Sequence, residues 1–289
     1  MSHERMFSAL AESVNRHYGS VDLRSRILDK LKEAGKDLQN VTRDDLAPFD
    51  EFHTGGRTST RELAGMAGVT AGMQVLDVGS GVGGPARTLA GEFGCIVTGV
   101  DLTEEFCFAA QLLTELVGLA DRVSFHHGDA LALPFPDGQY DLVWSQNTVM
   151  NIEDKARLFR EIHRVLKPGG RLALETVLAG PTQGIHYPTF WAAAPEMNFL
   201  VSPGHLRGLL IGQGFAEETW EDITGLALAA ARKRLAASGS GISSALGRDV
   251  IVTKDVMRKI ENSVRNNTEG RTITIRGVFR WVDGPPGQR

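Results

Sequence analysis

Val75-Leu76-Asp77-Val78-Gly79-Ser80-Gly81-Val82-Gly83-Gly84 places a glycine-rich turn directly after a short apolar run. Glycines lack Cβ atoms, so backbone and ligand can approach one another closely there. Pro85 follows at a position that a first helical turn tolerates. The stretch therefore reads strand, turn, helix, with Gln74 to Val78 as the strand and Leu89, Ala90 and Phe93 on the inward face of the helix. Such a turn implies a nucleotide-like ligand. Asp101 lies 22 residues beyond Gly79, at the end of the next apolar run, Ile96 to Val100. A carboxylate there can accept both hydroxyl hydrogens of a ribose.

Outward from this unit, strand and helix alternate in the manner of a parallel sheet. Thr103 opens a helix with Glu104 and Glu105 in its first turn, and Val123 to His127 is the third strand. Tyr140 to Ser145 is the fourth strand, Glu153 to Leu166 a helix ended by Pro168-Gly169-Gly170, and Arg171 to Val177 the fifth strand. The rhythm breaks over Leu178 to Val201, which carries Pro181, Pro188, Pro195 and a cluster of aromatics without a clean period. This segment reads as a lid or substrate loop. Ser202-Pro203 starts a further helix, Phe215 to Ile223 is a strand, and helices near Leu226 to Ala236 and Val250 to Val264 flank Ser238-Gly239-Ser240-Gly241. Thr272 to Trp281 alternates as a last strand. At the other end, Phe7 to Tyr18 and Leu23 to Leu31 keep helical spacing, and Asp37 to Arg57 reads as a connecting loop. Ser59 and Glu62 form an S-x-x-E capping box ahead of a helix at Thr60 to Ala67.

The chain has 289 residues, 42% hydrophobic and 23% charged, with 31 Lys+Arg against 35 Asp+Glu and a net charge of −4. A sizeable core is available, and no basic excess advertises nucleic acid or an anionic membrane. The two cysteines, Cys95 and Cys107, argue against a disulfide framework and a multi-cysteine zinc site. With no apolar run of signal-peptide or membrane-spanning length, the reading is a cytoplasmic protein without integral membrane association. His126 and His127 are adjacent on a strand and face opposite sides, so no metal is expected.

The glycine pattern with an acid serves both dinucleotide dehydrogenases and S-adenosylmethionine enzymes. Asp77 just ahead of the glycines, Asp101, and Asp129 after the third strand put acids at successive strand ends. A pyrophosphate disfavours nearby carboxylates, whereas a sulfonium and an ammonium group favour them. A nicotinamide-dependent oxidoreductase and a cofactor-binding module without catalysis are the alternatives.

Val75 to Gly84, Gly99-Val100-Asp101, Gly128-Asp129-Ala130, Tyr140-Asp141-Leu142-Val143-Trp144 and Arg164 to Gly170 occur in order and resemble the successive motifs of class I S-adenosylmethionine-dependent methyltransferases. The stretches Asp50 to Gly56, Met150 to Lys155 and Phe199 to Pro203 are similar to the small-molecule branch with sarcosine and dimethylglycine N-methyltransferases and tocopherol-type or ubiquinone-type enzymes. The resemblance implies a Rossmann-like α/β fold: a seven-stranded, mostly parallel sheet with its last strand antiparallel. A helical lid from the N-terminal helices and the insertion after strand five would close over it. The segments expected are a lid at 1–57, a cofactor-binding core at 58–178, an insertion at 179–201, the remaining core with inserted helices at 202–283, and a disordered tail at 284–289.

It also implies S-adenosyl-L-methionine as cofactor and methyl transfer by in-line displacement to a small-molecule acceptor, with an amine favoured over phenolic oxygen or carbon. Gly79, Ser80, Gly81 and Gly83 would border the methionine and ribose portions, Asp101 and Leu102 the ribose and adenine, and Asp129 and Ala130 the adenine. Ser145 and Gln146 would lie beneath the methyl group, and Tyr18 would close over the methionine end. His53 and His186 are the available bases if the acceptor needs one. Asn151 stands where related enzymes often carry His, and with Tyr187, Phe190 and Trp191 it is expected along the acceptor pocket. No nucleic-acid partner is expected, and a homodimer is compatible with this reading.

Overall fold

The computed structural model describes residues 23–51, 53–239, 246–247, 250–251 and 254–282. The helix expected at Phe7 to Tyr18, including Tyr18, and the tail 284–289 lie outside the described residues. Seven strands form one sheet: β1 Gln74–Val78, β2 Ile96–Asp101, β3 Val123–His127, β4 Tyr140–Gln146, β5 Leu166–Ala179, β6 Phe215–Asp222 and β7 Thr272–Trp281. Their order is β3-β2-β1-β4-β5-β7-β6. β1 to β5 pair in parallel, and β7 runs antiparallel to both β5 and β6. The expected Rossmann-like sheet with an antiparallel last strand is thus present.

The chain moves outward from β1 to β3 and then returns to β4 on the other side of β1, so a crevice opens at the strand ends between β1 and β4. Open α/β sheets bind ligands at such a reversal. Helices cover both faces. Described helices α1 Leu23–Glu33, α2 Arg43–Asp50, α3 Arg57–Met66, α4 Gly84–Phe93 and α5 Glu104–Leu116 precede β4. They are followed by α6 Lys155–Val165, α7 Pro203–Gly212, α8 Thr224–Gly239 and α9 Val256–Thr268. Leu158, Phe159 and Ile162 of α6 pack with Leu172 and Leu174 of β5 in one cluster. On the opposite face, Leu63 of α3 and Leu89 of α4 pack with Val75, Val97 and Trp144. Leu23, Ile27 and Leu31 of α1 join Leu46, Phe49 and Phe106 in a third cluster beside the glycine turn.

Two local expectations are corrected. The segment 37–57 is not simply a loop: Thr42 and Asp45 make a reciprocal capping box and open α2, with Pro48 inside the helix. Pro48 and the nearby glycines hid it. Ser59 and Glu62 form no capping box. Gly55 and Gly56, with φ of 80° and 60°, turn the chain early, so α3 begins at Arg57 and Ser59 lies inside its first turn. There Ser59 donates to Glu175, and Arg276 holds Ser59 (2.9 Å) and Glu62 (2.7 Å). The would-be cap instead fastens α3 to β5 and β7.

Candidate active site

The glycine turn leaves β1 with Gly79, Gly81 and Gly83 all at positive φ, a conformation that side-chain-bearing residues rarely take. A Cβ on Gly79 would stand 2.1 Å from Thr148 Oγ1, in the loop after β4. A Cβ on Gly84 would stand 2.3 Å from the carbonyl oxygen of Asp50. The turn is therefore clasped between the β4 loop and the end of α2. Arg87, 1% exposed, secures this by donating to Asp50 Oδ2 (2.8 Å), the Val82 carbonyl (2.6 Å) and Thr114 Oγ1 (3.1 Å).

Beneath the turn a cavity of about 230 Å³ opens along the β1–β4 crevice. One end is bounded by Gly79, Ser80, Gly81, Asp101, Asp129 and Gln146. Leu102, Thr103, Ala130, Asn147 and Thr148 continue this end. The other is bounded by Met150, Asn151, Ile152, Val177, Phe190 and Trp191, and by the inward faces of α8 and α9. Asp101 accepts from the Gly81 N–H (2.8 Å) through Oδ2 and from the Thr103 N–H (2.9 Å) through Oδ1. Burial raises the pKa of its carboxyl, and those two bonds oppose the rise. Asp129 Oδ1 accepts from the Leu131 N–H at 2.8 Å. Asp77 is buried behind the turn, and its Oδ2 has no hydrogen-bond partner. Burial, reinforced by Asp101, pushes its pKa up to about 7.

His53 lines the cavity, but both of its ring nitrogens face protein groups. Nε2 lies 2.8 Å from Glu51 Oε2, and Nδ1 lies 3.2 Å from the Thr54 carbonyl. Burial works against a charged imidazole, yet Glu51 and Glu175 outweigh it and raise the pKa of His53 above its ordinary value. Glu51 also accepts from Thr60 (2.8 Å) and Thr88, and Thr60 reaches Gln146 Oε1 (3.2 Å), which takes the Trp144 indole N–H (2.9 Å). His53 thus belongs to a buried polar network that ties the 50–60 segment to the end of β4.

The structure brings most of the expected residues together: Gly79, Ser80, Gly81, Asp101, Leu102, Asp129, Ala130, Gln146, Asn151, Phe190 and Trp191 all line the cavity. Ser145 does not, because strand neighbours point to opposite faces and Gln146 takes the cavity side. Gly83 sits behind the turn, where a Cβ would strike Phe125 at 2.4 Å. His186 is away from the cavity lining. It pairs with Glu269 (2.8 Å), while its backbone N–H and carbonyl bond Asn266, fastening the insertion to α9. Tyr187 packs with the Trp191 cluster outside the lining. His186 and Tyr187 are accordingly corrected from site residues to anchors of the inserted segment. Cys107 is buried, and burial and then Asp101 push its thiol up to about 12.

Sequence reasoning missed Asp50, Thr54, Thr103, Asn147 and Thr148, which also line the cavity. Asn147 carried a usable signal: an Asn just past a strand tolerates the left-handed turn, and its φ is 54°. The lining residues on α8, α9 and β7 carried none, since nothing local ties those segments to the glycine turn.

A family model described as a methyltransferase domain matches residues 76–174. Methyltransferase GfsG of Streptomyces halstedii is 33% identical over 183 residues, 63% of this chain and 63% of that protein. The chain thus spans less than two thirds of the length of this curated relative. A putative sarcosine dimethylglycine methyltransferase from Galdieria sulphuraria superposes with a TM-score of 0.64 at 23% identity, over 78% of this chain and 86% of that one. Phosphoethanolamine N-methyltransferase 2 of Haemonchus contortus, solved in complex with S-adenosyl-L-methionine, gives 0.66 at 21% identity over 92% of this chain and 61% of that one. At these identities the two structures show a shared fold. With the ordered strand-end motifs and the sheet order, these findings support a methyltransferase domain at residues 76–174 on the Rossmann-like fold of S-adenosylmethionine-dependent methyltransferases.

Proposed function

We propose that this protein transfers a methyl group from S-adenosylmethionine to a small-molecule acceptor. The observation that carries the reading is the single cavity joining acid-bearing strand ends to apolar walls across the β1–β4 crevice. The residues present suit the cofactor. Gly79 to Gly81 leave room for close approach, and Asp101 keeps a further lone pair on each oxygen for the ribose hydroxyls. Leu102, Asp129 and Ala130 border the adenine in this reading, and Ser80, Gln146 and Asn147 the methionine side. Asp77, with an unpartnered oxygen and a pKa raised to about 7, supplies negative potential behind the turn once it ionises.

The cofactor supplies an electrophilic methyl group on a sulfonium. The chain's own contribution is to hold the acceptor in line, exclude water and leave a lone pair free. His53, with both ring nitrogens turned to protein acceptors and its protonated form favoured, serves as a positioning group rather than a base. The acceptor then arrives as a ready nucleophile. A neutral amine meets this condition directly, and a phenol meets it as the phenolate. Asn151, Phe190 and Trp191 border the acceptor, and residues 23–57 with the insertion 179–201 close the site. The mildly acidic net charge of −4 supports a small molecule over nucleic acid.

The test is S-adenosylhomocysteine release with pooled amines and pooled phenolic or isoprenoid acceptors, assayed separately from pH 6 to pH 9. Turnover with either pool upholds methyl transfer. Tight cofactor binding with no turnover on any pool would instead describe a binding module, and saturable NADH binding without S-adenosylhomocysteine binding would favour an oxidoreductase.

A further inference from the structure

Lys155 stands where helix polarity and burial both disfavour a cation. It is the first residue of α6, so its ammonium lies at the positive end of that helix, and the residue is 3% exposed. A pair of main-chain carbonyls compensates. Nζ donates to the Ile152 carbonyl (2.6 Å) and to the Phe199 carbonyl (2.6 Å), the latter 44 residues away along the chain. Ile152 closes the turn Val149–Asn151 after β4, and Phe199 lies near the end of the insertion. One side chain therefore clasps the loop after β4 to the insertion.

Both clasped segments build the same stretch of cavity wall. Met150 from the turn, Val177 from β5, and Trp191 and Ala192 from the insertion make one apolar cluster, with Leu200 packed against it. Met150, Ile152, Val177 and Trp191 all line the cavity, whereas Lys155 lies behind them. Asn198, the neighbour of Phe199, accepts the Trp191 indole N–H at 2.8 Å. The path from Lys155 to Trp191 thus runs through one carbonyl, one peptide unit and one side-chain hydrogen bond. Burial lowers the pKa of the Lys155 ammonium to about 8, and Glu153 opposes the fall. The other charged groups on the adjoining elements are engaged elsewhere or exposed. Asp154 caps α6 through the Arg157 N–H, Arg157 donates to the Leu131 carbonyl, and Arg207 of α7 pairs with Glu217. Glu196 of the insertion and His205 of α7 are exposed.

Resting on the methyl-transfer reading, we propose that Lys155 is a positioning residue: through its two carbonyl bonds it holds the wall of Met150 and Trp191 where that wall meets a small-molecule acceptor. The charged form makes the tighter clasp, because a hydrogen bond from an ionised donor is stronger than one from a neutral amine. Loss of the proton leaves two N–H donors without the charge, so the wall loosens rather than detaches. Lys155 then tunes acceptor binding without touching the acceptor, and the affinity for the cofactor is unchanged.

The full chain labelled with 5-fluorotryptophan is followed by fluorine NMR from pH 6.5 to pH 9.5, the Trp191 signal being assigned through Trp191→Phe. N-phenyl-1-naphthylamine, an apolar amine, serves as the acceptor probe. It is titrated by fluorescence into protein saturated with S-adenosylhomocysteine, whose own binding is measured by calorimetry. In the parent the Trp191 signal is expected to shift with a midpoint near pH 8 while that of Trp220 on β6 stays in place, and the probe to bind more weakly at pH 9.5 than at pH 7. Lys155→Met is expected to abolish the Trp191 titration, to weaken the probe about tenfold at pH 7, and to leave S-adenosylhomocysteine affinity unchanged. Lys155→Arg, charged throughout, is expected to restore part of the probe binding and to keep it level with pH. An unaltered Trp191 titration in Lys155→Met, or equal probe binding by that variant and the parent, overturns the inference. Failure of S-adenosylhomocysteine to bind the parent would strike the methyl-transfer reading itself and is seen separately in the calorimeter. Should Lys155→Met not fold, the parent and Lys155→Arg still decide, since a Trp191 signal with the same midpoint in both overturns the inference.

Discussion

Asp77→Asn isolates the electrostatics beneath the glycine turn. Asp77 sits on β1 between Gly99 of β2 and Trp144 of β4, is 2% exposed, and holds its proton up to about pH 7. In the unfolded chain the same carboxyl releases it near its ordinary value of 3.8. Between those two values the folded protein binds more protons than the unfolded one, so this group makes stability fall as pH rises through the window. At about 1.36 kcal/mol per pH decade, the full loss above pH 7 is about 4 kcal/mol. Asn removes the titration and keeps the shape. The variant should match the parent near pH 4 and gain steadily on it up to pH 8, approaching that figure. Urea denaturation of cofactor-free protein at pH 4, 5, 6, 7 and 8 measures the difference, and slopes from other acids common to both proteins cancel. A cationic ligand that draws the proton from Asp77 should also bind the parent more tightly as pH rises through 7, and the variant with little pH dependence. Parallel stability curves for parent and variant across the whole range would refute the reasoning, because Asp77 would then ionise as freely in the fold as outside it.

Gly79→Ala places a side chain at φ 75° and 2.1 Å from Thr148 Oγ1. The backbone strain alone costs about 1–3 kcal/mol, and calorimetry should find S-adenosylhomocysteine binding lost as Thr148 is displaced. Arg87→Met strands the buried Asp50 carboxyl and should cost about 3–5 kcal/mol in urea denaturation. Adding Asp50→Asn should return part of that loss, and a strictly additive double variant would deny the coupling. His53→Gln should slow turnover less than tenfold and leave the shape of its pH profile intact, whereas a drop above a hundredfold with a lost pH limb would restore His53 as a base.

β1, β2 and β4 were legible as short apolar runs with their own boundary residues, and β7 by its alternation. β1, β3 and β7 begin and end where the pattern places them, and Ser202 caps α7 as read, accepting from the His205 N–H. The glycine turn and the acids at the strand ends were legible for the same reason: sequence neighbours are site neighbours there. Elsewhere the local rules were overruled by contacts from far along the chain. Ser59 has the sequence of a cap, but Glu175, 116 residues away, claims its hydroxyl. His186 has the sequence of a loop base, but Glu269 and Asn266, 83 and 80 residues away, hold it against α9. The remaining cavity walls come from β5, the insertion, α8, α9 and β7, and no spacing rule joins Val177 to Arg234 or Ile260.

The buried charges account for what the cofactor end favours. Asp50, Glu51, Asp77 and Glu175 are all buried around the turn, and Asp101 lines the cavity beside them. Arg87 pairs with Asp50, His53 with Glu51 and Arg276 with Glu175, so three of these acids have a basic partner. Asp77 forms no ion pair with the described residues, and burial, reinforced by Asp101, raises its pKa. A dinucleotide pyrophosphate would bring further negative charge to a region already short of cations, deepening the penalty that keeps Asp77 protonated. A sulfonium and an ammonium group have the opposite effect: they favour the ionised form of Asp77 and offset part of the cost of burying it. The same strand-end position that weakens the cofactor-free fold as pH rises is therefore one that a bound cation favours, and this coupling, beside the glycines, separates a sulfonium site from a dinucleotide site.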